Sequence, residues 1–94
     1  MTKNEIFNTV RSFLMEEGAR KIAIFGSYVR DKVRPESDLD ILVEFRDRKS
    51  LLDIVRIERV LSERLAIKVD LLTESAVSPY IIDIIRREMK VIYQ

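Results

Sequence analysis

FGSYVRDKVRPESDLDILVEF, residues 25–45, closes one apolar run on a Gly-Ser pair and opens the next on two acids. The second half alternates: Leu39, Ile41, Val43 and Phe45 fall on one face, and Asp38, Asp40, Leu42 and Glu44 on the other. That period of two predicts a strand over 38–45 with one buried face. Just upstream, KIAIF (21–25) is short, apolar and β-rich, and predicts a second strand. A brief helical turn from Ser27 and a loop through Pro35 join the two.

Working outward, residues 3–17 predict a helix with Ile6, Val10, Phe13 and Leu14 on one face. Thr2 and Glu5 fit a capping box at its start, and Gly18 fits its stop. After the charged turn RDRKS, Ser50 with Asp53 caps a helix that runs to about residue 65. IKVDLL (67–72) predicts a third strand. Ser78 and Pro79 suit the cap and first turn of a last helix, with Ile81, Ile82, Ile85 and Met89 as its inner stripe. The tail VIYQ is an edge strand or a frayed end. The expected fold class is α/β (α+β): a small mixed sheet of three to four strands with helices packed mainly on one face. The expected organisation is one domain over residues 1–94.

Composition narrows the chemistry. The chain is 47% hydrophobic and 35% charged, a globular balance. No apolar run approaches the roughly 20 residues a membrane helix needs, and the start MTKNEIF does not resemble a signal peptide, so a cytoplasmic protein is expected. There is no cysteine and no histidine. Thiolate or imidazole zinc sites and His-dependent nucleophilic catalysis within the chain are therefore excluded, and any metal must sit on oxygen, which favours Mg²⁺ or Mn²⁺. Seventeen basic and sixteen acidic residues leave a net charge of +1, which gives nucleic-acid binding no support.

The acids are the first candidates for chemistry. Asp38 and Asp40, two apart on a strand, leave the same face. Asp is unfavourable inside strands, although acids at strand ends are common. Asp70 sits within the third strand on the side of Lys68 and Leu72, opposite Ile67, Val69 and Leu71. If that strand lies beside 38–45, three carboxylates converge. Like charges 4 Å apart repel by ~4 kcal/mol at an effective dielectric of 20, and a divalent cation reverses that sign. The Gly-Ser pair is the second candidate. Gly26 permits a sharp turn and close approach of a ligand, Ser27 can cap the turn, and Arg30 can reach the same anion. Alone, each feature also fits a solvated strand end or an ordinary capped turn.

Taken together, Gly-Ser, ten residues and Asp-x-Asp resemble the signature of the DNA polymerase beta-like nucleotidyltransferases, and the size is similar to the minimal nucleotidyltransferases that act as antitoxins beside HEPN-type toxins. The four fixed residues alone would recur by chance in roughly one chain in a thousand of this length. The resemblance implies the polymerase beta-like fold, with Asp38, Asp40 and Asp70 as catalytic and metal-binding acids. It also implies Gly26, Ser27, Arg30 and Ser37 as the nucleotide-binding residues. It implies ATP as substrate and two Mg²⁺ ions, with Mn²⁺ as a substitute. One position departs from the family: where many members carry Gly after the arginine, this chain has Asp31, expected to point to solvent.

The activity so implied is adenylyl transfer, with Asp70 as the candidate base. A partner must then bring the acceptor, and the resemblance points to a HEPN-type toxin modified on a tyrosine, in a hetero-oligomer or beside a homo-oligomer. Apolar residues beyond an inner stripe, on the helix from Ser50 (Leu51, Ile54, Val55, Ile57, Val60, Leu61) and at Ile84, Val91, Ile92 and Tyr93, fit either a generous core or such an interface. Two alternatives stay open. One is a non-catalytic module that silences a toxin by covering it. The other is transfer to RNA or a small molecule, against which Phe25, Tyr28 and Phe45 are few rings for a stacking platform.

Overall fold

Capping sets where the two long helices begin. In the computed structural model, which describes residues 1–94, the Thr2 hydroxyl accepts the Glu5 N–H while Glu5 accepts the Thr2 N–H, and α1 runs Lys3–Glu16. Ser50 and Asp53 do the same for α2, Leu51–Leu65. Gly18, at φ +92°, takes the left-handed conformation that ends α1, and Ala66, at φ +53°, does so for α2 without a glycine.

Four strands form one sheet: β1 (Ala19–Phe25), β2 (Leu39–Phe45), β3 (Val69–Leu72) and β4 (Lys90–Tyr93), in the order β3-β2-β1-β4. β1 pairs antiparallel with β2 and β4, and β2 pairs parallel with β3. The sheet is therefore mixed, and the tail is an edge strand rather than a frayed end. β1 begins two residues before the expected Lys21, because a bulge between Ala19 and Lys21 lets Ala19 still pair with Phe45. β3 begins at Val69, two residues later than expected, because Ala66 first has to turn the chain out of α2.

α1 and α2 cover one face, where Leu39, Ile41 and Val43 of β2 join Val10, Leu14, Ile57 and Leu61 in a core of 17 buried residues. The third helix, α3 (Pro79–Glu88), crosses the other face and closes a small core of Ala23, Leu42, Ile82 and Ile85. Of the expected inner stripe, Ile82 and Ile85 are buried and Met89 packs beside them, but Ile81 is 52% exposed. Ile81 lies about 100° around the helix from Ile82, and a ten-residue helix resting on a narrow strip of sheet covers one side only. No helix is long and apolar enough to cross a membrane.

Candidate active site

The parallel register of β2 and β3 brings the acids together. Asp40 is the cross-strand partner of Asp70, both lie on the α3 face, and Phe25 sits opposite Asp40 on β1. Burial first, then the neighbouring Asp70 carboxyl and the charge of Asp38, push the Asp40 carboxyl up to about 6, with the charge of Arg30 pulling the other way. Asp38, one residue before β2, leans toward Lys68 at 3.7 Å. Two of the three acids meet, and no three acid side chains stand together at metal-ligand spacing.

Gly26 starts the short 3₁₀ turn Gly26–Tyr28 at the end of β1, with φ +74°. A Cβ there would run into the Asp40 carboxylate, so only glycine lets the turn lie against the acid pair. Ser27 follows, half-buried, with no hydrogen-bond partner for its hydroxyl in the chain, and its carbonyl accepts the Lys32 N–H at 3.2 Å. Arg30 reaches back over this turn and ion-pairs with Glu88 at 3.1 Å. Ser37 is engaged differently: its hydroxyl accepts the Arg34 N–H at 2.9 Å and closes the turn that presents Asp38. Asp31 does point to solvent: its side chain is 85% exposed and pairs with Lys3. Its φ of +56° lies in the left-handed region that favours glycine and that Asp tolerates better than most other residues.

Three side chains that position the site were not marked by the sequence. β3 is an edge strand, and its outward N–H groups need partners. Ser62 accepts the Val69 N–H at 3.0 Å and Glu58 accepts the Leu71 N–H at 2.7 Å, one on each side of Asp70. Their spacing of four on α2 was the available signal, though it reads equally as a solvated helix face. Glu88 contacts Gly26 and Arg30 from the end of α3.

The donor set suits a hard cation. Asp40 and Asp70 are cross-strand partners and neither makes a salt bridge, and the chain has neither cysteine nor histidine to favour zinc. The largest groove lies elsewhere, an open cleft of about 620 Å³ at the opposite ends of β2 and β3, lined by Phe45, Lys49, Leu72 and Thr73 among others. Acids line it too, Glu44, Asp47 and Glu74, but it has neither the Asp-x-Asp pair nor a glycine turn, so the chemistry points to the acid pair beside Gly26.

The nucleotidyltransferase domain model matches residues 5–92. The chain belongs to that family, as a minimal nucleotidyltransferase of the polymerase beta-like superfamily. A Methanocaldococcus jannaschii protein named "Putative protein adenylyltransferase MJ0435" is 43% identical over 88 residues, covering 94% of this chain and 95% of the relative. The protein adenylyltransferase MntA of Thermococcus cleftensis is 40% identical over 72 residues, covering 77% and 73%. A solved toxin-antitoxin structure with AMP-PNP superposes with a TM-score of 0.85 at 22% identity, over 93% of this chain and 72% of that one. The complex of a tri-AMPylated Shewanella oneidensis HEPN toxin with its MNT antitoxin superposes at 0.81 and 20% identity, over 98% and 72%. At those identities the structural likeness establishes the fold alone.

Proposed function

We propose that this chain is an antitoxin that transfers AMP from ATP to a tyrosine hydroxyl of a HEPN-type toxin. The observation that carries this reading is the Asp40–Asp70 pair set against the Gly26 turn and Arg30. The names of the relatives at 40% and 43% identity support protein as the acceptor class.

In this mechanism the Gly26 N–H, Ser27 and Arg30 hold the triphosphate. Asp38, Asp40 and Asp70 would hold Mg²⁺, which supplies neutralisation of the phosphate charge when bound. Asp38 must exchange Lys68 for that role. The pair is exposed and worth about 0–1 kcal/mol, so the exchange is easy. The acceptor oxygen attacks the α-phosphorus, the bond from that phosphorus to the pyrophosphate oxygen breaks, and pyrophosphate leaves. Asp70 takes the acceptor's proton. Ser37 acts by shaping the turn before Asp38.

The test is incubation of the chain with ATP, Mg²⁺ and its co-encoded HEPN-type protein, followed by intact mass of that protein. The wild type adds AMP on tyrosine. Asp38→Asn adds none and fails to neutralise the toxin. Normal neutralisation by Asp38→Asn would replace this reading with a module that silences its partner by binding.

A further inference from the structure

Glu88 is the last residue of α3, an acid at the end of a helix where the exposed carbonyls disfavour negative charge. Its carboxylate reaches across to the turn after β1. Oε1 accepts the Gly26 N–H at 3.4 Å, and Oε2 accepts an Arg30 N–H at 3.1 Å. The Glu88 side chain is 29% exposed, so the contact is only partly screened by water.

These are two of the three groups assigned to the triphosphate above, and the inference rests on that assignment. We propose that Glu88 is an internal anion that occupies the triphosphate's donors in the free protein and gives them up when nucleotide binds. A carboxylate left in place beside a bound triphosphate would face like charge over a donor pair that cannot serve both. Glu88 has three rotatable side-chain bonds, so it can withdraw without moving α3. While it stays, Arg30 is held over the turn rather than drawn onto the acid pair, and the donors are ready-oriented. Its charge then sets how strongly an incoming phosphate chain must compete.

Glu88→Gln separates this role from a plain tie between α3 and the turn. The amide oxygen of Gln accepts the same N–H groups, so a tie is retained while the charge is lost. The probe is inorganic tripolyphosphate with Mg²⁺, followed by calorimetry. Glu88→Gln binds it about five-fold more tightly than the wild type, the size expected for removing one partly screened like charge. In an Arg30→Ala background the gain from Glu88→Gln shrinks but does not vanish, because one of the two contested donors is gone while the Gly26 N–H remains. Equal or weaker binding by Glu88→Gln overturns the proposal, as does no binding by either protein. The unaltered chain offers a second readout: the Glu88 carboxyl carbon resonance moves on adding tripolyphosphate, and a stationary resonance at saturation contradicts the exchange. Neither readout depends on AMP transfer. Tighter binding with no transfer leaves Glu88's role standing and removes the enzyme reading; transfer with unchanged binding does the reverse.

Discussion

On the face under α1 and α2, Leu39, Ile41 and Val43 point into 17 buried residues, and no buried side chain in the protein is polar or charged. One residue along the same strand, Asp40 and Leu42 point to the other face, where four buried residues and α3 make a core a fraction of that size. The difference shows how 94 residues accommodate both needs. The period of two lets β2 give its odd positions to the large core while Asp40, on the opposite face, is left for the candidate site. The thin core under α3 leaves polar groups half-exposed, where a cation and an anion can reach them. The large core fixes the strand register that puts Asp40 beside Asp70.

The largest effect is expected in the large core. Leu61 is fully buried against the sheet, and Leu61→Ala is expected to cost ~2–5 kcal/mol through lost burial and a residual cavity. Chemical denaturation measures the loss. AMP transfer per folded molecule should be unchanged, and a selective loss of transfer would mean the two faces are not separable.

Asp40→Asn should move stability the other way, and less. The Asp40 carboxyl sits at about 6 in the fold against an ordinary 3.8, so the folded chain keeps a proton that the unfolded chain has already released. Stability of the metal-free protein therefore falls as pH rises through that window and stays at its lower level above it. Asn removes the slope. The gain at pH 7 is about 1–2 kcal/mol after discounting for partial exposure, and it vanishes below the ordinary carboxylate pKa. Melts from pH 3 to 8 in the presence of a chelator check it. A destabilised Asp40→Asn at neutral pH would show that the acid pair is structural.

Much of this arrangement was legible in residue order because it is local. Two capping boxes, the alternation of β2 and the Gly-Ser to Asp-x-Asp spacing each lie within a few turns of chain. The pairing of Asp40 with Asp70 followed once β3 was placed beside β2. What was not legible depends on distant partners. Glu88 meets Gly26 across 62 positions, and nothing near Glu88 marks it as more than a helix-end acid. The outward turn of Ile81 depends on how α3 sits on the sheet. The link from Glu58 and Ser62 to β3 depends on which strand forms the edge. Asp38's lean toward Lys68 is set by side-chain charge rather than by strand geometry, so spacing alone could not distinguish it from its neighbour Asp40.

In the proposed function the nucleotide binds on the α3 face, at the acid pair and glycine turn, and not in the larger groove at the far ends of β2 and β3. Amide chemical-shift mapping during titration with ATP and Mg²⁺ tests it most directly. The largest changes are expected at Gly26, Ser27, Arg30, Asp38, Asp40, Asp70 and Glu88, with Lys49, Leu72 and Thr73 nearly still. Changes concentrated at Lys49, Leu72 and Thr73, with Gly26 and Asp40 unmoved, would contradict it.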